Sequence, residues 1–400
     1  MATELSNRIE RLKALASFAP RPLRPGFSGR APFDLPEAMQ QTRQRLLDRA
    51  AEPYVGITTD GTIVPGLYES GPTGISTRPI LDAANAFLAG LSPAQRTTVS
   101  FDLTSDAWRT WSNVSPFLIR HGLHLETLTD DRRELALGLL HASFSAAGYQ
   151  TARDVMRLNH TIAELTGGWD ELGEWMYWIS LFGTPSETEP WGWQIDGHHL
   201  NVNCLVLGDR MVLTPCFMGS EPVVAPSGTY AGTSVFEIEE ARGYALMQAL
   251  TPEQQDVARI GMTQRGDVVA SAGGDNVQLP YAGIRFADLS TEQQRLAIAT
   301  IKPYVARIRP GHAEVRMAEV EHHLGQTSFA WIGACDETSP FYYRVQSPVI
   351  LIEFDHQRGI HLQNDGPTRA HIHTVVRTPN GNDYGTDLLR QHYAQEAHHR

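Results

Sequence analysis

Two histidines separated by one residue, His371 and His373, stand in the run AHIHTVVR near the end of a 400-residue chain. Read as a strand, that run sends both imidazoles to one face, about 7 Å apart at their Cβ atoms. One metal ion can bridge that spacing. The run before it, VILIEFDHQ, alternates in the same way, with Ile350, Ile352 and Phe354 on one face and Leu351, Glu353 and Asp355 on the other. Paired as a hairpin, the two strands would set Glu353 on the polar surface of the histidines. A Gly-His-His corner, with His198 and His199, offers further imidazoles from midway along the chain. The candidate metal ligands are therefore His198, His199, His371, His373 and Glu353. Imidazole with carboxylate suits a divalent metal, zinc first, with iron, copper or manganese as alternatives.

Other roles follow from residue type. Glu353 or Asp196 could serve as a general base beside the metal. Arg377 lies on the histidine face four residues after His373 and could hold a substrate carboxylate bidentately, or instead form a salt bridge to Asp383 or Asp387. Trp191 and Trp193 flank the Gly-His-His corner, and Tyr343, Arg344 and Asp383 belong to the later strands and turn. Together they are candidates for walling a substrate pocket, with a plain aromatic core as the alternative. Competing chemistries lack their motifs. There is no G-x-S-x-G elbow, no GxxxxGK[ST] loop and no GxGxxG after a strand, and the histidine spacing matches neither HExxH nor the cupin order. Cys204 and Cys216 lie in apolar strand contexts that leave a thiol inert.

The elements that must position these residues run through one pattern twice. AFLAGLSPAQR around Leu91 reappears as ALMQALTPEQQ around Leu250, and LHLETLTDDRRELALGLL around Leu128 as IRFADLSTEQQRLAIATI around Leu289. GTPSETEPWGWQIDGHHLNVN, from Gly183, matches GACDETSPFYYRVQSPVILIE, from Gly333. In that correspondence Asn203 of the first copy stands for Glu353 of the second. Ser92 and Thr251 are N-cap candidates with proline at the first helical position, and Thr129 and Ser290 cap the following helices. The fold class expected is α+β, an internally duplicated unit of helical hairpins and antiparallel strands in two pseudo-symmetric halves. The halves are expected at 53–232 and 233–400, after an extended Pro/Arg-rich N-terminal arm over 1–52. In that arm SFAPRPLRPGFSGRAPFDLP cannot hold a helix, and YVGITTDGTIVPGLY after it reads as a hairpin turning at Asp60-Gly61.

Bulk properties narrow the classes. With 42% hydrophobic and 20% charged residues the chain can bury a sizeable core. A formal charge of −12 disfavours a nucleic-acid binder, which needs a basic stripe. No stretch approaches 18 apolar residues, so no membrane span is expected, and the first twenty residues lack a signal-peptide apolar region. Three cysteines without C-x-x-C spacing fit a reducing, cytoplasmic compartment. The partner expected is a small-molecule substrate, with a homo-oligomer open.

PWGWQIDGHHLNVNCLVLGD, TPCFMGSEP, FYYRVQSPVILIEFDHQ and HIHTVVRTPNGNDYGTDLLRQHY closely resemble the family of unknown function numbered 3500 (DUF3500), over about residues 54 to 393. The resemblance implies one intact domain-like body and carries no activity, cofactor or catalytic residue. Three functional readings therefore stand. The first is a metal-dependent enzyme, most simply a hydrolase with a metal-activated water. The second is an iron or copper oxygenase or oxidoreductase on the same ligands. The third is a metal-free binding or structural protein whose histidines only satisfy hydrogen bonds.

Overall fold

Short polar signals start the helices. In the computed structural model, which describes residues 2–22, 35–115, 118–263 and 266–398, Ser92, Thr251 and Ser290 each accept the N3 backbone N–H. The glutamine at each N3 reaches back to the cap N–H, closing a capping box. Pro93 and Pro252 occupy the first turn, where a missing N–H costs nothing. Thr129 stands at the N-cap of its helix without a side-chain cap bond.

The first half lays down α3 (Arg78–Gly90), α4 (Pro93–Val99), β1 (Ser100–Phe101), β2 (Leu123–His124), α5 (Asp130–Ser143) and α6 (Ala146–Thr166). After these come β3 (Tyr177–Phe182), β4 (Trp191–Gly197), β5 (Leu200–Leu207), β6 (Arg210–Val212) and β7 (Cys216–Ser220). The second half follows a similar order with one strand fewer. It has α7 (Glu237–Ala249), α8 (Pro252–Ala258), β8 (Arg259–Gly261), β9 (Ile284–Arg285), α9 (Thr291–Val305) and α10 (His312–His322). The strands β10 (Ser328–Gly333), β11 (Phe341–Gln346), β12 (Leu351–Arg358) and β13 (Pro367–Arg377) complete it, before the last helix α11 (Thr386–His398). The chain is thus α+β.

The thirteen strands of the described residues join one mixed sheet; ten follow the order β1-β3-β4-β5-β7-β13-β12-β11-β10-β8, while β2 pairs with β3, β6 with β5 and β9 with β10 beside that path. β1 pairs in parallel with β3, and β8 in parallel with β10, at the two ends, while the long strands between them are antiparallel. The middle of the sheet is the β7–β13 pair, with Gly219 opposite His373 and Phe217 opposite Val375.

Alternation sorts the two faces. Ile352, Phe354, Ile372 and Val376 point into the larger core, which the helices cover with Leu139, Leu140, Met156, Ile301 and their neighbours. Leu351, Val375, Phe217 and Leu205 point the other way, where Trp108, Trp111 and Tyr384 cover them. His371, His373, Glu353 and Arg377 belong to this second face by parity.

The N-terminal segment departs from an extended arm. Residues 2–15 and 37–51 form α1 (Ala2–Leu15) and α2 (Glu37–Ala51), because neither run contains proline or glycine to interrupt it. Between them Pro20 bridges Leu362, and the Arg21 side chain donates to the carbonyls of Leu362 and Asn364, so this part does run over the body. Residues 23–34 of the proline-rich stretch lie outside the described residues. The expected hairpin over 54–68 is absent. Its turn exists, with Gly61 at φ 93° and Thr62 N–H donating to Asp60. The flanking backbone pairs elsewhere, Thr58 with Val277 and Leu279, and Val64 with the Asn380 side chain.

Candidate metal centre

The hairpin between β12 and β13 forms, with Asp355 opposite His373 and Glu353 opposite Val375. His371 and His373 project from β13 on the same side, as a one-residue spacing on a strand requires. The third imidazole comes from the turn between β4 and β5. His199 there has φ 64°, a left-handed conformation uncommon for a residue with a Cβ. Backbone bonds from His199 N–H to Asn113 O and from Gly219 N–H to His199 O hold the turn in place.

The Nε2 atoms of His199, His371 and His373 form a triangle with all three sides 3.1 Å. All three residues are buried, at 4%, 2% and 7% exposure. Gly219 makes the room, since a Cβ there would stand 2.9 Å from His373 Cδ2 and 3.2 Å from His199 Cδ2.

The far sides of two rings fix their tautomers. His373 Nδ1 lies 2.6 Å from Asp267 Oδ1, and His371 Nδ1 lies 2.7 Å from the carbonyl of Arg358. A carboxylate and a carbonyl can only accept, so both Nδ1 atoms carry the proton and both Nε2 atoms present a lone pair. Lone pairs facing each other at 3.1 Å cannot hydrogen-bond. A cation at about 2.05 Å from each nitrogen satisfies all three at once, with N–M–N angles near 98°. His199, His371 and His373 are thus a buried group that could hold a metal ion.

Burial favours the neutral form of His199 and His371. Burial, joined by neighbouring histidines, pushes His199 well below its ordinary range, and burial brings His371 down to about 4 despite Glu221. Burial alone would raise the Asp267 carboxyl, but His373 and the Asn113 side chain outweigh it and hold the group ionised. Glu221, 3.8 Å from His371 Nδ1, accepts the backbone N–H groups of Ile360, His361 and Leu362 and so pins the adjoining loop.

A cavity of about 760 Å³ opens over the triangle. Ser112, Asn113, His198, Asp267, Gln357, Arg358 and His361 form its polar lining, and Met39, Leu46, Val114 and Leu118 its apolar wall.

The other expected site residues lie elsewhere. His198 lines the cavity, but its Nδ1 is 2.8 Å from Asn159 Oδ1 and its ring stacks on His199, so it stands behind the triangle. Glu353 does not reach the histidines. Its carboxylate accepts Val269 N–H, Ala270 N–H and Tyr342 Oη–H, which uses up the capacity a metal ligand or a base would need. Asp196 is buried, is raised by that burial, and accepts Ser112 N–H at 3.1 Å, with no opening to the cavity. Arg377 donates to Asp275, Asp383 and Ala270 O, so the salt-bridge alternative with Asp383 is the one realised and neither residue lines the cavity. Trp191 and Trp193 are fully buried in the helix-side core, their indole N–H groups bound to Ser186 O and Ser143 Oγ. Tyr343 is bound there to Tyr304 and Glu239, and Arg344 donates to Pro280 O. Strand parity turns Trp191, Trp193 and Tyr343 into the helix-side core, whereas Arg344 shares the face of Glu353 but is not among the residues that line the cavity. Burial raises the thiols of Cys204 and Cys216 to about 12 and about 11, leaving both inert.

Asp267 was not anticipated. It stands in an irregular loop far in sequence from the histidines, and its one signal is a carboxylate amid turn residues, a common arrangement. Glu353 and Arg377 hold that loop through Val269, Ala270 and Asp275, so they act behind Asp267 rather than on a ligand.

A family model described as "Protein of unknown function (DUF3500)" matches residues 73–386. Searches of curated proteins and of solved structures found no match. Among the described residues no helix is long and apolar enough to cross a membrane.

Proposed function

The chain belongs to the DUF3500 family, and from that premise we propose that it is a metal-dependent enzyme acting on a small organic molecule, most simply a hydrolase. The observation that carries this reading is the convergence of three Nε2 atoms, two of which, on His371 and His373, present lone pairs because their Nδ1 atoms are committed to Arg358 O and Asp267. The 3.1 Å approach of the His371 and His373 lone pairs is repulsive without a cation, which argues against histidines that merely satisfy hydrogen bonds. His199, His371 and His373 would hold a divalent ion through uncharged imidazole nitrogens at the lining of the cavity, leaving it its full charge. Zinc is the ion favoured, and it would lower the pKa of a bound water to about 7 and polarise a carbonyl. Glu353 and Asp196 are engaged elsewhere, so the activation of water would be supplied by the ion held on His199, His371 and His373 rather than by either carboxylate. The oxygenase alternative drew on a carboxylate ligand beside two histidines, and the nearest carboxylate, Asp267, binds Nδ1 on the far side of a ring.

We also propose that the two halves, 53–232 and 233–400, arose by duplication. The matched order of capping boxes and strands supports this, as does the pairing of Gln194 with Asn203 where the second half pairs Arg344 with Glu353. A single centre then uses one ligand from the first half and two from the second.

The test is elemental analysis by plasma mass spectrometry on the untagged full chain beside the His371→Ala/His373→Ala double variant. Near-stoichiometric zinc that disappears in the variant, with metal-dependent cleavage of an ester or amide panel, is the expected result. Iron or copper in its place would move the reading to oxygen chemistry, and no metal in either protein after reconstitution would overturn both.

A further inference from the structure

We propose that this cavity takes a small carboxylic acid with a short apolar body, its carboxylate held by Arg358 and its reacting end placed between the histidine triangle and Ser112. The inference rests on the metal reading for its reacting end only. Its other parts come from the lining itself.

Arg358 is the only lysine or arginine among the described residues that line the cavity. Its position is fixed, because its own carbonyl accepts His371 Nδ1 at 2.7 Å and its backbone pairs with Pro367 across the hairpin. The guanidinium is exposed, and no acidic side chain among the described residues pairs with it. The two carboxylates lining the cavity are already engaged, Asp267 with His373 and Asp365 with Arg21. An unpaired guanidinium within side-chain reach of a ligand imidazole is suited to a planar carboxylate, which it can bind with two parallel N–H donors.

Ser112 is the second observation. Its side chain is 1% exposed, its Oγ has no hydrogen-bond partner, and it lines the same cavity. Its backbone is held by Asp196, and the next residue carries the carbonyl that fixes His199. A buried hydroxyl without a partner costs free energy unless a ligand supplies one. The wall of Met39, Leu46, Val114 and Leu118 then asks for apolar surface between the two polar ends.

The probes are acetate, hexanoate and hexanamide, titrated by calorimetry into the full chain with and without cobalt(II). The d–d absorption of the cobalt form gives a second readout at the metal. Hexanoate should bind at least tenfold more tightly than acetate, from the apolar wall, and at least tenfold more tightly than hexanamide, from Arg358. Arg358→Gln should abolish the preference for hexanoate over hexanamide while leaving azide binding to the cobalt form unchanged. Leu46→Gln should shrink the preference for hexanoate over acetate. Equal binding of the three probes overturns the proposal, as does an Arg358→Gln variant that still prefers the acid. If cobalt does not bind, the metal reading fails, and the metal-free titrations still decide whether the cavity selects a carboxylate.

Discussion

Asp267 Oδ1 lies 2.6 Å from His373 Nδ1, so the carboxylate orients an imidazole whose other nitrogen faces His199 and His371. Such a partner fixes the tautomer and raises the basicity of the ligand. Asp267→Asn is expected to weaken metal binding by about 10- to 100-fold while leaving the circular dichroism spectrum unchanged. Competition with a chromophoric chelator measures the loss, and an unchanged affinity would show that Asp267 does not act on the centre.

Gly219 tests whether the triangle tolerates crowding. An added Cβ would meet Ile372 O at 2.8 Å and His373 Cδ2 at 2.9 Å, both tighter than real contacts allow. Gly219→Ala should cost about 1–3 kcal/mol in chemical denaturation and lose most of the bound metal. A variant that keeps full metal would place the imidazoles differently from the arrangement described above.

Arg377 is fully buried and bound to Asp275, Asp383 and the Ala270 carbonyl. Removing it strands two buried carboxylates, so Arg377→Met should lose about 3–5 kcal/mol of stability. Arg377→Lys should recover little, because a single ammonium cannot reproduce the planar donor fork. Urea denaturation of the three proteins is the measurement, and a lysine variant as stable as the parent would contradict it.

Acid stability should depend on Glu240. Burial acts to raise this carboxyl, but the hydrogen bond from His356 and the charges of Arg369 and Arg8 outweigh it and bring it down to about 2. Its folded value thus lies below the ordinary 4.5, so the contribution is complete above about pH 4.5 and is lost as pH falls toward 2. The size is about 3 kcal/mol. Glu240→Gln should flatten the pH dependence of unfolding in that window, and an unchanged slope would remove Glu240 as its source.

Period-two alternation made much of the centre legible. It placed His371 and His373 on one face and set β12 beside β13 in antiparallel pairing. The Gly-His-His corner pointed to a third imidazole, although spacing alone could not choose between His198 and His199. The choice depends on the backbone turn, where positive φ swings His199 toward β13. What alternation cannot convey is which partner a polar group meets across the fold. Glu353 and Arg377 share the histidine face by parity, yet a loop from residues 267–275 lies over them and takes their bonds. Trp191 and Trp193 flank the corner in sequence, but strand parity sends them to the opposite side of the sheet. The helix caps were local signals and therefore readable, whereas the Asp60-Gly61 turn was local and its pairing partners were not.

The β7–β13 seam has a consequence for the order in which the molecule is made. β13 enters the middle of the sheet between β12 and β7, and it carries two of the three imidazoles. Until Pro367–Arg377 has left the ribosome and inserted there, His199 waits alone in its turn and the gap beside β7 has no lining. Capture of an ion would therefore wait on the making and insertion of β13, a seal that the earlier strands cannot form by themselves.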